Sequence, residues 1–285
     1  MPHLLELTLR CLNECSGFED PIPAIDRFAL QHPEIWDTKL GDGYAPAHSA
    51  AFQKQSQALR WLCSHYPHLL KTTCKGWTPL HLCAYKGDLE AIEFLLGVDP
   101  LLISKYTNDG QTPLHTAAQE GQVEAMQFLL GVDPLLISKY DDDGWTPLHA
   151  AAIKGQVEAM KFLLGVDPLL ISKYDDDGWT PFHAAVFSGH VEAMEFLLGV
   201  DPLLISKYKN DGETPLHSAA FSGHVEAGKW LHQKAPALLN FPDQKGSTPL
   251  MLAESKNKSH FVEWIKSVGG IAVQPPKKDE NCSVM

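Results

Sequence analysis

The chain has 285 residues and 31.5 kDa, and its 44% hydrophobic and 20% charged content excludes wholesale disorder. Its 23 Lys plus Arg against 35 Asp plus Glu give a net charge of −12, so neither nucleic acid nor anionic lipid is an expected partner for the protein body. Six cysteines without a C-x-x-C pair fit a reducing, cytosol-like compartment rather than a disulfide scaffold, and no apolar run or charged leader points to membrane spanning or export. In chain order, residues 4–15 and 22–31 read as two amphipathic helices within an N-terminal helical cap, residues 1–42. They lead into His32-Pro33-Glu34-Ile35-Trp36, a faded copy of a segment that recurs later.

Residues 43–269 are a tandem repeat. The tetrapeptide Thr-Pro-Leu-His begins at Thr78, Thr112, Thr146 and Thr214, with variants at Thr180 and Thr248, each two residues after a glycine. Those glycines, Gly76, Gly110, Gly144, Gly178, Gly212 and Gly246, lie 34 residues apart, and a degenerate copy starts at Gly43. The prolines Pro33, Pro67, Pro100, Pro134, Pro168, Pro202 and Pro236 keep the same register, giving seven repeats. Each unit reads turn, short helix, turn, longer helix, loop. Gly serves the turn, Thr caps the first helix, and Pro occupies its first turn without loss of a needed N–H. In the unit after Gly144, Leu148 and Ala151 line a short buried helix that Gly155 ends. Val157, Met160, Phe162, Leu163 and Leu164 give the second helix its apolar face, which Asp167-Pro168 terminates. One helix pair cannot bury its own apolar face, so neighbours must stack.

This signature resembles the ankyrin repeats, whose T-P-L-H-x-A motif is present almost verbatim. The resemblance implies an all-α ankyrin-repeat solenoid of about seven helix pairs with short finger connections. It also implies that His81, His115, His149, His183 and His217 hydrogen-bond adjacent turns rather than hold a metal. The segment Gly-Val-Asp-Pro-Leu-Leu-Ile-Ser-Lys-Tyr departs from the common finger and is one residue longer. The last unit, 246–268, carries polar residues where inner ones are apolar, as a capping repeat needs.

No catalytic constellation, cofactor loop or metal site is expected. Asp141-Asp142-Asp143 and Asp175-Asp176-Asp177 lack the alternation and distant Glu of a calcium loop, and Asp143 and Asp177 suit the turns before Gly144 and Gly178. Cys83 stands where later repeats have Ala117 and Ala151, as a small packed residue would. The array leaves too little chain for a catalytic fold, so the protein is expected not to be an enzyme; the rival is an enzyme that uses the repeats for docking.

Repeats 141–174 and 175–208 differ at six positions, four of them at the end of the first helix and the turn after it. The family resemblance places that region, with the finger tip, on a concave recognition surface. Two columns result. The finger column holds Trp77, Gln111, Trp145, Trp179, Glu213 and Ser247; the helix-end column holds Phe52, Tyr85, Gln119, Ile153, Phe187 and Phe221. Exposed aromatics at these positions point to a protein partner, with basic groups suited to the acidic fingers. The protein is otherwise expected to be monomeric.

Residues 270–285 read as a flexible tail ending Asn281-Cys282-Ser283-Val284-Met285. This matches a C-a-a-X box whose terminal Met favours a farnesyl group on Cys282, added by a eukaryotic prenyltransferase. One lipid chain anchors only marginally, so a membrane-resident protein partner is the expected second signal. The expected location is the cytosolic face of a membrane. Near-identical repeats joined to a prenylation box resemble ankyrin effectors that intracellular bacteria deliver into host cells; the alternative is a soluble cytosolic adaptor without lipid.

Overall fold

A computed structural model describes residues 45–272. The expected N-terminal cap helices and the C-terminal box with Cys282 lie outside the described residues. Among those described, the protein is all-helical, with fourteen α-helices, six short 3-10 helices and no strand. The α-helices form seven consecutive pairs: α1 Pro46–Phe52 and α2 Ser56–His65, α3 Pro79–Lys86 and α4 Leu89–Val98, α5 Pro113–Gln119 and α6 Val123–Val132, α7 Pro147–Ile153 and α8 Val157–Val166, α9 Pro181–Phe187 and α10 Val191–Val200, α11 Pro215–Ser222 and α12 Val225–Lys234, α13 Pro249–Ser255 and α14 Ser259–Ser267.

The local chemistry explains each pair. Thr78, Thr112, Thr146 and Thr180 accept the N–H of the histidine three residues on, while the His ring accepts the Thr N–H in return, so one side-chain pair satisfies two orphan donors. Proline fills the first helical position at no hydrogen-bonding cost. Gly76 has φ +79°, and a Cβ there would lie 2.2 Å from the Asn108 nitrogen, whose N–H donates to the Lys75 carbonyl at 3.1 Å. Only glycine lets the next finger come that close.

The chain divides into two compact units: one of residues up to 151 with 158–167, the other of 152–157 with the residues from 168 onward. In the first, α1, α3 and α5 pack side by side, as do α2, α4 and α6. Leu80, Cys83, Ile92 and Leu95 are fully buried between these layers. In the second, α9, α11 and α13 form one layer and α10, α12 and α14 the other, with Phe182 and Phe261 as the largest buried side chains. Each buried Leu or Phe contributes about 1.5–3 kcal/mol.

Three expectations are revised. The segment after each of the first six second helices is not simple loop: Pro67–Lys71, Pro100–Ser104, Pro134–Ser138, Pro168–Ser172, Pro202–Ser206 and Pro236–Asn240 are 3-10 helices. In the copy at Pro100, the Asp99 carboxylate accepts the Leu101 N–H at 3.0 Å and the Ser104 hydroxyl donates to the Leu101 carbonyl at 2.9 Å, so the segment is capped at both ends. The buried face of α8 is Ala159, Met160, Leu163 and Leu164, with Val157 and Phe162 only half-buried. Finally, Asp141 and Asp175, not Asp143 and Asp177, hold the fingers. Asp141 accepts the N–H groups of Asp143 and Trp145, and Asp175 those of Asp177 and Trp179.

Candidate functional site

The histidine positions are structural. His81 Nδ1 accepts the Thr78 N–H, so the ring proton sits on Nε2 and donates to the Gln111 carbonyl at 3.1 Å. His48, His115 and His217 reach the carbonyls of Trp77, Trp145 and Ser247 at 2.9–3.0 Å in the same way. Burial pushes the imidazoles of His81 and His115 down to about 4, partly offset by these carbonyls. Neutral rings at pH 7 suit a fixed hydrogen bond and remove any use as a cation. Cys83 is fully buried with its thiol pushed well up by that burial, as a packed residue rather than a nucleophile. Among the described residues no group of three His, Cys, Asp or Glu side chains is placed to hold a metal ion.

The histidine ladder pins the backbone of the finger column and so decides where its side chains lie. In the first unit Trp77 is half-buried, with its ring edge-to-face on Tyr85 at 5.9 Å and 74°. Lys86 Nζ stands 3.9 Å from the centroid of Phe52 and 5.4 Å from that of Tyr85. Phe52, Trp77, Tyr85 and Gln119 line a cavity of about 370 Å³ together with His48 and Leu82. Burial first, and the neighbouring Glu120 carboxylate second, raise the Tyr85 phenol. Gln111 and Trp145 are half-buried, and the Trp145 ring lies 5.7 Å from His149.

In the second unit Trp179 meets Phe187 edge-to-face at 5.2 Å, and Phe187 meets Phe221 at 5.9 Å. Lys209 Nζ lies 4.8 Å over Trp179, and Lys256 Nζ 4.5 Å over Phe221. Glu213 is ion-paired to Lys209, with both side chains largely covered. Ile153 is half-buried, and of the expected site residues in this unit only Phe221 is exposed.

The tryptophans expected at exposed sites are half-buried. Each packs against a ring of its own repeat, and Trp179 also lies against Lys209 of the next one. The structure brings Trp77 to Tyr85 and Trp179 to Phe187 and Phe221, whereas Glu213 is committed to an internal pair. Lys209 and Lys256 belong to the ring cluster and were not singled out as site residues from the sequence. A signal existed for Lys209: it replaces Asp141 and Asp175 of the earlier copies in the same repeat where Glu213 replaces their Trp145 and Trp179.

A pair of half-exposed aromatics flanked by a cation offers a partner apolar area, a π-face and a hydrogen-bond donor, and provides no nucleophile or general base. A search of curated proteins gives no match. The sequence profile of ankyrin repeats (3 copies) matches residues 15–103, 47–136, 97–171, 132–205 and 199–275. With repeats, capping and the histidine ladder in agreement across most of its length, the chain belongs to the ankyrin-repeat family.

Proposed function

We propose that this protein is a non-enzymatic adaptor that binds one protein partner through the finger and helix-end residues and is tethered to the cytosolic face of a membrane by a farnesyl group on Cys282. The family is a protein–protein interaction module, which supports the coarser part. The observation that carries the finer part is the ring clustering: Trp77 with Tyr85 and Phe52, and Trp179 with Phe187 and Phe221, each keep accessible area beside a lysine. Aromatic side chains held this way lose little entropy on binding and dominate interface energetics. The tether rests on the C-terminal sequence, and one lipid chain gives only reversible binding, so the ring face supplies the second attachment. The pairing of near-identical repeats with a prenylation box further suggests an effector that a bacterium delivers into a eukaryotic cell.

The test is the intact mass of the protein expressed in a eukaryotic cell, beside Cys282→Ser. A farnesyl-sized increment with loss of the last three residues, absent from the mutant, supports the tether; an unmodified mass overturns it. Partner capture from the same cells with Trp179→Ala/Phe187→Ala then tests the face. Retention of each partner falls at least tenfold if these rings are its anchors, and unchanged retention removes them from the site.

A further inference from the structure

The cavity lined from α1, α3, α5 and the finger at Cys74–Trp77 lies wholly within the first compact unit. Phe52, Trp77, Leu82 and Tyr85 give it apolar walls. The polar groups left unclaimed beside them are mainly donors. Lys75 lines the cavity and Lys86 stands over Phe52 and Tyr85, and neither is ion-paired among the described residues. The Trp77 indole N–H and the Gln119 amide have no hydrogen bond there either. Of the neighbouring acids, Glu120 accepts the Tyr85 hydroxyl, and Asp109 in the adjoining finger pairs with neither lysine. Such donors call for an acceptor, and the walls call for a large apolar side chain next to it.

The finger that carries Lys75 is built unlike those that follow it. Cys74 and Trp77 exchange both backbone hydrogen bonds, at 3.0 and 2.9 Å, so two residues make the turn. In the next two fingers the Thr107 N–H donates to the Gln111 carbonyl, and that of Asp141 to Trp145, across three residues. Asp141 accepts two N–H groups of its finger; its counterpart here is Cys74, and this finger contains no acid. The short turn puts Lys75 at φ +51°, in the left-handed region where glycine sits without strain and lysine does not. Folding therefore does not account for a lysine at this place. The expectation of a basic partner came from the acidic fingers further along, and it does not extend to this cavity.

We infer that the cavity is a docking site for an acidic peptide segment, which places one large apolar side chain among the rings while a flanking carboxylate meets Lys75 and Lys86. The inference rests on the adaptor reading above and names the chemistry of its partner. Charge complementarity selects this occupant. The volume of about 370 Å³ lies near the lower end of ligand sites, as a single side-chain anchor requires. A partner's lysine or arginine would also find aromatic faces here, but it would meet two ammonium groups, one already seated on Phe52. Those groups repel a cation and attract a carboxylate.

The test is binding of the full chain carrying Cys282→Ser to an array of short peptides. One central Phe, Trp, Leu or Ala is flanked by acidic, basic or uncharged residues. Acid-flanked Phe, Trp or Leu should retain the protein about tenfold better than the same residues in the other frames, and better than acid-flanked Ala. Lys75→Glu/Lys86→Glu should move the preference to basic flanks, with helical circular dichroism unchanged. Gln119→Trp, which fills the cavity without changing charge, should remove binding in every frame. Retention of apolar peptides whatever their flanks, or a preference for basic ones, overturns the inference. So does an acid preference that survives either variant, or no binding in any frame. The adaptor reading is judged separately by partner capture. Cellular partners that depend on the rings of the second unit, with no acid preference on the array, overturn this inference alone.

Discussion

At His115 the two ring nitrogens do separate work. Nδ1 accepts the Thr112 N–H at 3.3 Å and lies 2.8 Å from the Thr112 hydroxyl, locking the start of α5; Nε2–H donates to the Trp145 carbonyl at 3.0 Å, fastening the next finger. One side chain therefore joins a local cap to a contact thirty residues away. In the His115→Leu variant the apolar volume is kept while a buried N–H and a carbonyl lose their partner. The expected cost is about 2–4 kcal/mol, read as a lower urea midpoint with an unchanged slope. A loss below about 0.5 kcal/mol would mean that water replaces the ring.

At the scale of elements, the last pair shows how the array is closed. Met251 stands where the other repeats have histidine, so Thr248 has no ring partner and donates its hydroxyl to the Ile271 carbonyl at 2.9 Å. Asn240, at the end of the preceding 3-10 helix, accepts the Ile271 N–H at 2.9 Å and donates to the Gly269 carbonyl at 3.2 Å. The segment after α14 thus takes the place of a missing finger and satisfies polar groups that a further repeat would have covered. Asn240→Ala should cost about 1–2 kcal/mol. Amide exchange in α14 should speed up while that in α3 and α4 stays the same; acceleration in all three would mean that the clamp serves global stability instead.

Over the whole molecule the buried histidines act together on the pH dependence. His81 and His115 titrate near 4 when folded and near 6.5 when unfolded, and burial also lowers His48 and His217. Between these limits the unfolded chain binds more protons, so stability is full above about pH 6.5 and falls as pH drops toward 4. Each histidine contributes up to about 1.4 kcal/mol per pH unit. The net charge of −12 works the other way down to the pI of about 5.5, since lost charge relieves repulsion. That repulsion is screened beyond about 8 Å at physiological salt, so the histidine effect is expected to win. Thermal midpoints at 0.15 M salt should fall steadily from pH 6.5 to 4.5; a flat profile would show that the rings charge without unfolding.

The sequence by itself determined the period, the family, the capping by Thr and Pro, and the structural role of the histidines, because these rules act over a few residues and recur in every copy. It also marked where surface residues vary. Tertiary structure alone decided how much of each tryptophan reaches solvent. The carbonyl of Trp77 is held by His48 from the preceding repeat while its ring falls onto Tyr85, eight residues on. It decided that Glu213 is absorbed by Lys209 and that Lys256, from the capping repeat, covers Phe221. It also turned the apolar Leu-Leu-Ile run into a 3-10 helix that buries Leu102 and leaves Leu101 in water. Periodicity reads such a run as three equivalent apolar residues. Which of them is covered depends on the neighbouring repeat, and only stacking brings that neighbour into place.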